Sequence, residues 1–97
     1  MSELDKIKQI LKKNKSILKK QFKVKALGIF GSYVRGEQKK NSDVDILVEF
    51  SQIPGFFGYL QTEEHLSSML KKPVDLVMKG SLKPFIGKNI LREVVYI

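Results

Sequence analysis

The apolar positions of the chain change period as they run from one end to the other. Leu4, Ile7, Ile10, Leu11, Ile17, Leu18 and Phe22 recur at helical spacing. Ser2-Glu3-Leu4-Asp5 ahead of them has the S-x-x-D form of a capping box. A first helix is therefore predicted over about residues 3–21, with its lysines on the opposite face. Lys25 to Phe30 is a short apolar strand that ends at Gly31. Ser32 to Gly36 predicts a short helical turn, and Glu37 to Ser42 is a polar loop without periodicity. Asp43 to Phe50 alternates only in part and is apolar enough for a well-buried strand. Ile53-Pro54-Gly55 is a break. Phe56, Phe57, Leu60, Leu66, Met69 and Leu70 then predict a second long helix, stopped by Lys71-Lys72-Pro73. Val74 to Met78 is a third short strand, Gly80 marks a turn, and Pro84 opens a last helix carrying Phe85, Ile86, Ile90, Leu91 and Val94. The order α-β-α-β-α-β-α, its second helix only a short turn, predicts a small α/β layer fold in which three strands carry packed helices. With no repeat, low-complexity tract or linker, residues 1–97 read as a single domain.

Chemistry is concentrated between residues 31 and 50. Asp43 and Asp45, separated by one residue, open the second strand. Side chains two apart on a strand share a face, so the two carboxylates stand side by side while Val44 turns into the core. Two anions ~4 Å apart repel by about 4 kcal/mol at an effective dielectric of 20, which a divalent cation would relieve. Asp75, in the third strand, joins them if the register matches, because neighbouring strands lie ~4.8 Å apart. Three converging carboxylates suit Mg²⁺ and substrate phosphate oxygens. In a two-ion arrangement Asp43 and Asp45 bridge both metals and Asp75 holds the one nearer the attacking hydroxyl. Gly31 and Ser32 follow a strand and precede a short helix, where exposed backbone N–H groups and a hydroxyl suit phosphate. Arg35 has two equal readings: a phosphate contact, or a partner of Glu37 that braces the loop. His65 lacks a metal-ligand companion and is assigned to surface or packing. Phe56 and Phe57 are assigned to the core, and Tyr33 to the neighbourhood of the nucleotide.

Composition narrows the setting. The net charge is +8, and residues 1–40 hold twelve Lys or Arg against three acids. This basic excess reads first as a solvated helix face, and otherwise as an attraction for nucleic acid, nucleotide phosphates or an acidic protein. No aromatic interleaving supports stacking on bases. The chain has no cysteine, hence neither disulfide nor thiolate metal site. It contains no apolar run of ~20 residues, and its N-terminus is too charged for a secretory signal, so a soluble, cytoplasmic protein is expected.

At these residues the chain resembles a known family. GSYVRGEQKKNSDVDILV is similar to the GSxxRGxxxxxSDxDLxV signature of the minimal nucleotidyltransferases, the MNT proteins of the DNA-polymerase-β-like superfamily. FFGYLQTEEHL, KKPVDLVMKGSLKP and ILREVVYI resemble the family's later segments, so the likeness covers nearly the whole chain. It implies the minimal nucleotidyltransferase fold, with a small three-stranded mixed sheet. Matched by position, Gly31 and Ser32 fall on the phosphate-binding pair, Asp43 and Asp45 on the paired metal ligands, and Asp75 on the third carboxylate. The resemblance also implies an antitoxin that moves AMP from ATP to a tyrosine of a HEPN-domain ribonuclease toxin, in a hetero-oligomer with that toxin. Gln38-Lys39-Lys40-Asn41 departs from the family's usual Ala-Arg-Pro-Asp-like loop and makes it more positive.

Two other readings stand beside this one. The chain could be a binding module that neutralises its partner by contact alone, in which case the aspartates are dispensable for protection. A weaker alternative is nucleic-acid binding through the basic first helix, which would show steep salt dependence.

Overall fold

The computed structural model describes residues 2–97; Met1 lies outside them, as does the side chain of Phe85. The predicted first helix is two. Helix α1 (Glu3–Lys13) starts at Ser2, whose Oγ accepts the Asp5 N–H at 3.1 Å, as the capping sequence requires. Asn14 ends it, its side-chain amide donating to the Ile10 carbonyl at 2.8 Å, and α2 (Lys15–Phe22) begins anew. Asparagine bonds readily to nearby backbone, so it favours such a junction over a helix interior.

Strand β1 (Val24–Phe30) leads through Gly31 into the one-turn helix α3 (Ser32–Arg35), and β2 (Val44–Phe50) follows the loop. Helix α4 (Phe56–Leu70) and strand β3 (Val74–Met78) occupy the predicted ranges. A 3₁₀ turn at Lys79–Ser81 precedes α5 (Pro84–Glu93), with Pro84 in the first turn. The sheet then gains a strand that the sequence reading lacked, β4 (Val95–Tyr96), so it is four-stranded rather than three-stranded. The order is β3-β2-β1-β4, with β2 parallel to β3 and the other two pairs antiparallel. The sheet is therefore mixed.

Alternation sorts the sheet into two faces. Val44, Ile46 and Val48 of β2, Leu27 and Ile29 of β1, and Leu76 of β3 form one core with Ile7, Leu11, Leu18, Leu66 and Leu70. Helices α1, α2 and α4 thus cover one face. The side chains between these positions, Asp45 and Asp75 among them, belong to the other face. The register shift between Val24 and Ala26 explains why Val24 and Leu27 share the core although three residues separate them. Helix α4 also protects the free edge of β3. The Leu76 N–H donates to Glu63 at 3.0 Å, and the Tyr59 hydroxyl donates to the Leu76 carbonyl.

Gly28 is where β4 closes on β1. It pairs with Tyr96, and a Cβ placed there would lie 2.4 Å from Val94 Cγ2 and 3.4 Å from the Val95 carbonyl. Gly28→Val should therefore cost about 1–3 kcal/mol through overpacking. The unfolding midpoint in urea measures this; an unchanged midpoint would mean that β4 shifts freely.

Two aromatic assignments are corrected. Phe56 and Phe57 are 70% and 76% exposed, at the solvent-facing start of α4, and stack edge-to-face on each other. Tyr33 is buried in the core beneath α3, with the Lys72 ammonium 6.0 Å from its ring centroid, rather than exposed beside the Gly31 turn. His65 packs against Phe22 at a ring distance of 4.7 Å, in keeping with its assignment. No helix among the described residues is long and apolar enough to cross a membrane.

Candidate active site

Three elements end at one place: the exit of β1, the entrance of β2 and the entrance of β3. Because β2 and β3 run parallel and in register, Asp45 pairs directly with Asp75. Neighbouring strands are ~4.8 Å apart, so the two carboxylates start from adjacent positions on one face. Asp43 stands just ahead of β2, where the Val44 N–H donates to the Pro73 carbonyl at 2.8 Å and ties the two strand entrances together. Val44 between the aspartates is fully buried, as its position predicts. Asp43 and Asp75 are exposed, and Asp45 is half-buried.

On the other side of β2, Phe30 pairs with Asp45, which brings Gly31 against the Asp45 side chain. Gly31 has φ +81° and ψ −152°, a conformation essentially confined to glycine. An added Cβ would sit 2.0 Å from Asp45 Oδ2. The glycine thus serves both the turn and the close approach. Ser32 opens α3 and is partly buried; Gly36 closes it with φ +71°.

The electrostatics follow from this crowding. Burial, then the negative charges of Asp75 and Asp43, push the Asp45 carboxyl up to about 6, with Arg35 pulling the other way. Like-charge crowding of this kind is what a bound cation relieves. Among the described residues, no three His, Cys, Asp or Glu side chains are grouped so as to hold a metal by themselves. Hard carboxylate oxygens in small number, beside the Gly31–Ser32 turn, nevertheless suit Mg²⁺, which takes one or two carboxylates and completes its shell with water and substrate phosphates.

Arg35 is engaged as the bracing reading proposed, and more fully. Its Nε donates to Glu37 and its Nη1 to Glu93, each at 2.6 Å. Glu93, which the sequence reading did not single out, also accepts the Gly31 N–H at 2.8 Å. Burial pushes the Glu93 carboxyl up, but the Gly31 amide and the Arg35 guanidinium more than offset it, leaving it below the usual glutamate range. As the last residue of α5, Glu93 places negative charge at a helix C-terminus, which costs about 0.3–1 kcal/mol. Its three residues of spacing from Tyr96 carry no local signal; only the β4 pairing brings it here. A cleft of about 380 Å³ lies between the turn and α5, bordered by Gly31, Arg35, Asp45, Asn89 and Glu93.

Comparison with known proteins bears on the family and the fold. A family model described as a nucleotidyltransferase domain matches residues 4–97. The protein adenylyltransferase MntA of Thermococcus cleftensis is 52% identical over 97 residues, covering 100% of this chain and 98% of the relative. A crystal structure of a toxin–antitoxin with AMP-PNP is similar at TM-score 0.70 and 27% identity, over 99% of this chain and 72% of that one. A tri-AMPylated HEPN toxin of Shewanella oneidensis in complex with MNT antitoxin gives TM-score 0.61 at 22% identity, a likeness of fold, over 97% of this chain and 67% of that one. With a domain-wide family match and a half-identical relative of the same length, the chain belongs to the nucleotidyltransferase domain family, as an enzyme of its minimal nucleotidyltransferase type.

Proposed function

We propose that this nucleotidyltransferase moves AMP from ATP to a tyrosine hydroxyl of a HEPN ribonuclease toxin and so serves as the antitoxin of the pair. The observation that carries the reading is the in-register Asp45–Asp75 pair with the Gly31 turn closed onto Asp45. It supports one carboxylate beside the phosphates and another at an exposed position on the edge strand, accessible to a macromolecular acceptor.

The Gly31–Ser32 turn binds the phosphates: Gly31, its own N–H taken by Glu93, allows close approach, and the Ser32 hydroxyl and the backbone amides after Gly31 donate. Asp43, Asp45 and Asp75 would hold Mg²⁺, two ions in the fullest form, supplying charge neutralisation at the phosphoryl oxygens. Asp75 orients the acceptor hydroxyl and takes up its proton. The tyrosine oxygen forms its bond to the α-phosphorus as the bond to the leaving pyrophosphate breaks. The docked partner presents the acceptor. Ile53, Phe56 and Phe57, each at least 70% exposed, are in keeping with a protein partner.

The test is intact mass of the candidate toxin after incubation with this chain, ATP and Mg²⁺. One or more added adenylate units support the transfer. A stable complex without any gain in mass would favour the antitoxin that acts by contact alone, a reading that the exposed apolar residues also allow.

A further inference from the structure

We propose that Glu93 is a positioning residue for the nucleotide: from the end of α5 it fixes the Gly31 amide and aims the Arg35 guanidinium at the phosphates. The proposal rests on the reading of the Gly31 turn as a phosphate site.

Register puts Glu93 where it is. Ile29 pairs with Val95, and the strands are antiparallel, so two residues further along β1 meets two residues earlier in the returning chain. Those residues are Gly31 and Glu93. Each carboxylate oxygen has its own donor, Oε2 the Gly31 N–H at 2.8 Å and Oε1 the Arg35 Nη1 at 2.6 Å. Such charge-assisted bonds are short and directional. The Glu93 side chain is only 20% exposed, whereas Arg35 is 51% exposed and would otherwise sample many rotamers. Glu37 holds the guanidinium at Nε and Glu93 holds it at Nη1, so its plane is fixed from two sides. Of its five N–H donors, those two are used and the others have no protein acceptor among the described bonds. A planar fork held in this way, bordering the same cleft as Asp45, matches the geometry by which arginine recognises phosphate.

Glu93 sits at the last position of a helix, where a carboxylate opposes the dipole and a lysine or arginine would be favoured. A local rule broken at a site, with a compensating contact, marks that contact as the reason for the residue.

The experiment is calorimetric binding of ATP with Mg²⁺ to the full chain, alongside KM for ATP, for the wild type, Glu93→Gln, Arg35→Ala and the double variant. Glutamine can still accept the Gly31 N–H but brings no charge to Arg35. Glu93→Gln should weaken ATP by roughly tenfold in Kd and KM, with kcat changed far less, as expected for lost charge-assisted positioning. Arg35→Ala should weaken it at least as much, and adding Glu93→Gln to it should cost little more. Should Glu93→Gln fold poorly, Arg35→Lys tests the same coupling from the other side, because lysine cannot bridge two carboxylates in a fixed plane. Unchanged ATP affinity in Glu93→Gln, or losses that simply add in the double variant, would overturn the proposal. Tighter binding would overturn it too, since Glu93 would then be a competitor of the phosphates. If the wild type binds no ATP, both readings fail; Glu93-sensitive binding without AMP transfer sinks the transfer reading alone.

Discussion

Replacing Asp43 and Asp45 together by asparagine is expected to abolish AMP transfer while making the metal-free protein more stable at neutral pH. The loss follows from the donor set. Asparagine keeps the shape but removes two negative charges, and metal-assisted phosphoryl chemistry would draw several kcal/mol from the ions that such charges would hold. A deficit of about 4 kcal/mol is about a thousandfold in rate. The gain in stability follows from crowding. Burial and the neighbouring Asp75 and Asp43 raise the Asp45 carboxyl from 3.8 to about 6. Between those values the folded state binds the proton more tightly than the unfolded chain does. Stability from this group therefore falls as pH rises from about 4 to about 6, and the loss is complete above that. Solvent screening of a half-exposed group keeps the size modest. In chelator, the difference in unfolding free energy between the double variant and the wild type should widen across that window and then level off. Added Mg²⁺ should stabilise the wild type at pH 7 and have little effect on the variant. Retained transfer in the variant would remove the two aspartates from the chemistry.

Part of this was legible in the sequence because local signals and the fold agreed. Pro54-Gly55 and Lys71 to Pro73 bracket α4 closely, since backbone restrictions act where they are written. The Asp-Val-Asp spacing set the faces of β2 before any partner strand was known. Asp75 needed a register match, which β2 and β3 supply through their parallel pairing. What escaped was non-local. Strand β4 has two residues and exists only by pairing with β1, so no periodicity reveals it. Glu93 escaped with it, because its role depends on that same pairing. Phe56 and Phe57 were misassigned for a related reason: helical spacing identifies an apolar position but not whether another element covers it. The break at Asn14 had a signal, an asparagine inside a helical pattern, outweighed by the apolar residues on either side.

Gly31 offers the sharpest single substitution. Gly31→Ala should destabilise the fold by about 1–3 kcal/mol from backbone strain alone, because its φ of +81° with ψ of −152° is a region side chains avoid. The larger effect should be on catalysis. The new Cβ would stand 2.0 Å from Asp45 Oδ2 and 2.9 Å from its Cγ, so the carboxylate has to move. Displacing a catalytic group by about 1 Å can cost a hundredfold in rate. Gly36→Ala is the matched control. It too sits at positive φ, +71°, but a Cβ there meets nothing within 4 Å. Its cost should be about 1 kcal/mol of stability, with transfer close to wild type. Thermal unfolding and initial rates of AMP transfer, measured on both variants, separate the two contributions. Comparable rates for Gly31→Ala and Gly36→Ala would mean that contact with Asp45 does not matter, and the turn would be a backbone device only. A rate lost in Gly31→Ala beyond what its stability explains would make the glycine part of the active site, there because Asp45 leaves no room for a side chain.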